Sequence, residues 1–89
     1  MSTRIAVVDD DPAVLTLLHE LLSEEGYEPY LFSDGATACP CLHDSAPAAI
    51  ILDIRLPSTE AGWAMLARLR HDLVLYTVPV IVCSADLPA

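Results

Sequence analysis

The chain contains no lysine, and its four basic residues are all arginines set against 13 acids, for a formal net charge of −9. A nucleic-acid surface needs a clustered basic patch, and none can be assembled here, so direct nucleic-acid contact by this segment is excluded. Long apolar runs are also lacking. The longest, residues 46–52 and 78–83, have strand length, well short of the ~18 residues of a membrane span. The N-terminal apolar run, residues 5–8, is followed at once by acids and does not read as a signal peptide. No membrane association is expected, and a cytoplasmic location is the default. Glycine is scarce, with three in 89 residues. The three cysteines, Cys39, Cys41 and Cys83, form neither a CxxC redox motif nor paired zinc ligands, and read as ordinary buried or half-buried thiols. His19, His43 and His71 are dispersed, which suits surface positions better than metal binding.

What is present is apolar. Hydrophobic residues make up 54% of the chain and mean hydropathy is +0.47, a composition that argues against disorder. Eighty-nine residues allow one small domain, which buries roughly 60–65% of its unfolded surface.

Residues 4–8 form a short β-branched and apolar run. Asp11-Pro12 then reads as a helix N-cap followed by proline at the first helical position. Val14, Leu15, Leu18, Leu21 and Leu22 carry the spacing of an amphipathic helix, and Gly26 ends it. Residues 27–32 form a second strand, which Pro29 confines to a sheet edge. A weaker helix runs from Asp34-Gly35 to about His43, and Pro40 must kink it, delay its start or break it. Residues 48–53 are apolar until the terminal acid, as in a strand covered on both faces. A loop follows over 54–61, with Pro57 as its punctuation. The spacing predicts a third helix over 62–72, with Trp63, Leu66, Leu69 and Leu73 as its packing stripe, and a fourth strand over 79–84. Strands alternating with short helices imply right-handed βαβ units and a parallel α/β sheet.

In such a sheet ligands bind beyond the carboxyl ends of the strands. The first strand delivers Asp9, Asp10 and Asp11 there, the third Asp53, and the fourth Ser84. Clustered carboxylates ionise together only with a cation among them. Mg2+, which prefers hard oxygen ligands, is the natural occupant. Such an ion also offsets the charge of an incoming phosphoryl group, and a carboxylate can take that group covalently.

These residues carry a family resemblance: Ile5, Ala6, Val7 and Val8 before Asp9-Asp10, then Ile50-Ile51-Leu52-Asp53, Pro57, and Val80 to Ala85. In that order and near that spacing, the chain resembles the receiver domain of two-component response regulators across nearly its whole length. The resemblance implies a flavodoxin-like sheet of order 2-1-3-4. Asp53 would be the phosphoacceptor. Mg2+ would lie on Asp9, Asp10, Asp53 and the backbone carbonyl of Arg55. Ser84 would be the hydroxyl that senses the phosphoryl group, and Asp11 would be only a helix cap. The partner would be a sensor histidine kinase or phosphotransfer protein. The domain would be no enzyme beyond catalysing its own phosphorylation.

The departures are specific. Receivers carry a lysine at the end of a fifth strand, then a cis-proline and a last helix; this chain reads as an incomplete receiver domain over 1–89, with those parts missing. The loop after Asp53 is one residue longer than the family's, so the expected glycine falls at Gly62 and not at Ala61. With no fifth strand, the fourth would be an open apolar edge that could pair with a second copy, and the first helix's leucine stripe would be partly wet. Two other classes compete. A receiver-like interaction module that no longer phosphorylates fits the missing lysine. A haloacid-dehalogenase-type phosphatase fragment fits Val7-Val8-Asp9-Asp10-Asp11, with Asp9 as nucleophile, but leaves Asp53 without a task.

Overall fold

A computed structural model describes residues 3–55 and 58–83. The elements run β1 (Thr3–Val8), α1 (Pro12–Glu24), β2 (Tyr27–Phe32), α2 (Gly35–Ser45), β3 (Ala49–Asp53), α3 (Thr59–His71) and β4 (Val80–Cys83). The four strands form one parallel sheet of order β2-β1-β3-β4. Pro29 lies in the edge strand β2, opposite Ile5, where its missing N–H costs no ladder bond to a further strand.

Side chains alternate across the sheet, and the helices divide the two faces unequally. Ala6, Val8, Ile50 and Leu52 meet Ala38 and Leu42 of α2 and Met65 and Leu69 of α3 in one buried cluster, closed by Leu75. The opposite face carries Ile5 and Val7, buried on the central strand. α1 lies along β1 and β2. None of its residues is fully buried, and Leu17 and Leu21 are exposed. Of the expected stripe, Val14, Leu15, Leu18 and Leu22 are half-buried and only Leu21 is exposed. β4 has only β3 as a partner among the described residues, and Ile81 and Val82 are exposed.

Caps set the helix ends. Asp11 Oδ1 accepts from Ala13 N at 2.9 Å, and Asp34 Oδ1 accepts from Thr37 N at 2.7 Å. The Asp34 carboxyl is held below its usual range by those Thr37 bonds. Pro40 neither delays nor breaks α2, which starts at Gly35 and runs on to Ser45. The helix gives up one backbone bond there and keeps its inner face, Ala38 and Leu42, in the core.

The third helix departs from the sequence expectation in two ways. It starts at Thr59, because Ser58 takes an extended conformation and its Oγ accepts from Ala61 N at 3.2 Å. Its inward stripe is Gly62, Met65, Leu66 and Leu69, while Trp63 is 56% exposed and Leu73 lies beyond the helix. The reason is Gly62, whose Cα lies against the Ile54 backbone so closely that only glycine fits. That contact sets the rotation of the helix, and Trp63, about 100° further round, must face outward.

α2 ends at Ala46, whose φ of 44° and ψ of 66° are left-handed, with its N–H donating to Leu42 O at 2.8 Å. Glycine is the usual residue there. Ala46 is exposed and Cβ-strained, so Ala46→Gly should stabilise the domain by about 0.5–1 kcal/mol. Thermal unfolding should show this as a rise of about 2–8 °C; an unchanged or lower midpoint would count against the left-handed turn.

Candidate functional site

β1 and β3 are adjacent and parallel, with Val8 opposite Leu52, so the residues that follow them emerge side by side at the carboxyl end of the sheet. Asp9 is held there by its own backbone, whose N–H donates to Phe32 O at 3.0 Å. Its Oδ1 accepts from Asp11 N at 2.9 Å. Asp53 ends β3, and its Oδ1 accepts from Arg55 N at 3.0 Å. Asp9, Asp10 and Asp53 thus each offer a carboxylate oxygen within 4.8 Å of the others. Asp9 is buried, at 8% exposure, Asp53 is half-buried, and Asp10 is exposed.

The electrostatics follow from that packing. Burial raises the Asp9 pKa, the Asp11 N–H pulls it down, and the charges of Asp53, Asp10 and Asp11 raise it further. Partial desolvation at the sheet end pushes the Cys83 thiol up, although the residue is exposed, and the negative charges of Asp9 and Asp53 add to it.

This donor set fits Mg2+: three hard oxygens in an all-acid cluster, close to the ~3–4 Å separations that octahedral bonds of 2.0–2.1 Å require. Arg55 follows in the turn after β3, where its backbone can join the group. Asp11, the fourth acid of the region, is occupied as the α1 cap. Ser84 and Pro57 lie outside the described residues.

Two site features were not anticipated. Cys83 stands beside Asp53 in the β3–β4 register, and its carbonyl accepts from Ile54 N at 3.1 Å. The signal was available, since adjacent parallel strands of matched register place their last residues together. Cys83 and Cys41 are also exposed, with only Cys39 half-buried, so the expectation of buried or half-buried thiols fails for two of the three. β4 has no further strand beside it among the described residues, and Cys41 lies on the outer side of α2, away from Ala38 and Leu42.

The family model described as response regulator receiver domain matches residues 5–88. The chain belongs to the receiver domain family of response regulators. It is 44% identical over 88 residues to the response regulator MprA of Mycobacterium bovis, covering 96% of this chain and 36% of MprA. Among solved structures, the N-terminal receiver domain of a response regulator from Methanoculleus marisnigri superposes with a TM-score of 0.86 at 28% identity, over 97% of this chain and 69% of that one. The receiver domain of the sensor histidine kinase PA1611 from Pseudomonas aeruginosa, solved with a magnesium ion coordinated in its active site cleft, gives a TM-score of 0.83 at 26% identity, over 97% and 70%. The chain spans about a fifth to a third of the length of the curated relatives it matches. As a receiver domain it has the expected α/β sheet, and no helix among its described residues is long and apolar enough to cross a membrane.

Proposed function

We propose that this receiver domain takes a phosphoryl group on Asp53 from a phosphohistidine of a sensor kinase or phosphotransfer protein in the cytoplasm, in a Mg2+-dependent reaction. The observation that carries this is the convergence of the Asp9, Asp10 and Asp53 carboxylates within 4.8 Å at the ends of β1 and β3. The magnesium ion in the cleft of the related PA1611 receiver supports the same reading.

The residues divide the work. Asp53 Oδ1 is engaged by Arg55 N–H, which leaves Oδ2 as the oxygen for the attack on phosphorus. The attack forms an O–P bond and breaks the N–P bond of the donor, whose electron pair returns to the imidazole. An ionised Asp53 has no proton to lose. Asp9 and Asp10, with the Arg55 carbonyl, would hold Mg2+, which when bound supplies positive charge against the phosphoryl oxygens. Ser84 would place a hydroxyl donor near the product. The domain turns over no separate substrate; it catalyses only its own modification.

Asp9 is a poor competitor for the nucleophile. It is buried, whereas Asp53 is only half-buried, which disfavours the phosphatase-type alternative. One other reading remains, a receiver-like module that only binds a partner. Intact-mass spectrometry after incubation with Mg2+ and acetyl phosphate separates them. One added phosphoryl group, absent in Asp53→Asn and absent when a chelator removes Mg2+, is the expected result. No addition to folded, Mg2+-loaded protein would favour the binding module, or a piece of a receiver that needs the rest of its domain to react.

A further inference from the structure

Away from the acidic site, α2 and α3 form a shallow groove walled by Cys39, Arg68, Leu69, Asp72 and Leu75. His43 bridges it. Its Nδ1 lies 2.9 Å from Asp72 Oδ2 and 3.1 Å from Oδ1, joining α2 to the residue that ends α3. Cys39 stands four residues before His43, one helical turn away on the same side of α2.

The two partners are not equally free. Asp72 also accepts from Val74 N at 2.7 Å and Leu75 N at 3.0 Å, and its own backbone N–H donates to Leu69 O at 3.4 Å. Leu75 is fully buried in the core. The carboxylate is therefore fixed by the turn it organises, whereas His43 is tethered only by its own side chain and is half exposed. His43 is the part that can move.

We propose that His43 and Asp72 form a pH-operated latch across the α2–α3 groove, closed over the Cys39 thiol when His43 is protonated and loosened when it is neutral. The charge-assisted bond is roughly twice as strong as one from neutral imidazole. The groups around His43 act in one direction. Asp72 favours the cation through its hydrogen bond and its charge, and Asp44, next along α2, adds to this; partial burial opposes them. From α3, Arg68 is the cation that lines the same groove, and residues 73–79 bring no charged side chain, only the Tyr76 phenol.

The window follows. His43 binds its proton more tightly in the folded protein than its ordinary 6.5, so the charged latch is complete below pH 6.5 and lost as pH rises through the raised value. Asp72 is held below its ordinary 3.8 by the same bond, so its side of the latch persists down to about pH 3.8 and fails only as pH falls through the lowered value. A pair this exposed adds little to global stability, and its effect is local, on access to the groove.

Access is measured by maleimide labelling of Cys39 in the full chain carrying Cys41→Ser and Cys83→Ser, with and without His43→Gln. Comparing the two proteins at each pH cancels the intrinsic ionisation of the thiol. At about pH 5.5 the His43→Gln protein should label roughly two- to five-fold faster, and at about pH 8.5 the ratio should return to about one. A ratio of one at both pH values, or an equal excess at both, overturns the latch. NMR titration tests it without the cysteine substitutions: His43 should titrate higher in the unmodified protein than in a folded Asp72→Asn variant. A His43 that titrates no higher in the unmodified protein than in Asp72→Asn overturns the proposal.

Discussion

Gly62→Ala should cost the domain roughly 3–5 kcal/mol, enough to leave much of it unfolded at 37 °C. Helix propensity alone forecasts the opposite, because alanine in a helix interior is favoured over glycine by about 1 kcal/mol. Packing decides the sign. A Cβ at Gly62 would be driven into the backbone of Ile54, carbonyl included, and a backbone segment at a strand end has no rotamer to change. The remaining response is for α3 to lift away from the turn after β3. That would loosen Met65 and Leu69 from the core cluster, a large fraction of the ~5–15 kcal/mol that holds any domain of this kind together. Gly35 provides the internal control. A Cβ there meets Met65 Sδ at 3.2 Å, the flexible end of a thioether, so Gly35→Ala should stay within about 1 kcal/mol of the parent. Urea unfolding of both variants measures the contrast. Equal stabilities would show that α3 does not ride against Ile54.

The same glycine shows where sequence reading succeeds and where it stops. The one-residue displacement from Ala61 to Gly62 was visible as a spacing anomaly; the structure shows that Gly62 occupies the close-approach position, so the extra residue is absorbed within residues 54–61. Strand positions, the β2-β1-β3-β4 order and the Asp11 cap were legible because each depends on a short apolar run, a crossover rule or a cap residue next to a proline. The phase of α3 was not. Leu66 and Leu69 belong to two overlapping stripes, one with Trp63 and Leu73 and one with Gly62 and Met65, and only a contact with a distant backbone chooses between them. His43 and Asp72 lie 29 positions apart, and nothing local marks them as partners. Pro47 marked only that the helix must stop, and without a glycine nothing local marked the left-handed turn at Ala46. The acid cluster was legible for the reason the helix phase was not: parallel strands deliver their last residues to one edge whatever the packing behind them.

Asp9→Asn should raise the stability of the metal-free domain and lower that of the Mg2+-loaded one, so that the two proteins exchange rank when Mg2+ is added. In the metal-free state Asp9 is a buried carboxylate facing Asp10 and Asp53. Two like charges about 4 Å apart repel by about 1 kcal/mol in water and about 4 kcal/mol at an effective dielectric of 20. Asparagine removes that charge and keeps an oxygen for the Asp11 N–H. The pH dependence carries the same sign. The Asp9 pKa is raised by burial and by its acidic neighbours, so the folded chain holds this proton more tightly than the unfolded chain does. The contribution of Asp9 to stability is therefore greatest below the unfolded value of 3.8 and is lost as pH rises through the raised folded value. The difference between parent and Asp9→Asn isolates it from Asp34 and Asp72, whose lowered pKa values act in the opposite direction. Mg2+ reverses the balance, because the clustered charge that weakens the metal-free fold is what the cation binds. At a free Mg2+ concentration 100-fold above its dissociation constant, binding adds about 2.7 kcal/mol, or about 10–20 °C in a domain of this size. Thermal unfolding at neutral pH, with Mg2+ and with chelator, should show most of that rise in the parent and little of it in Asp9→Asn or Asp10→Asn. If Asp9→Asn is instead the less stable protein in chelator, the acids are held by contacts that outweigh their repulsion, and a strained cluster waiting for a cation is the wrong description of the site.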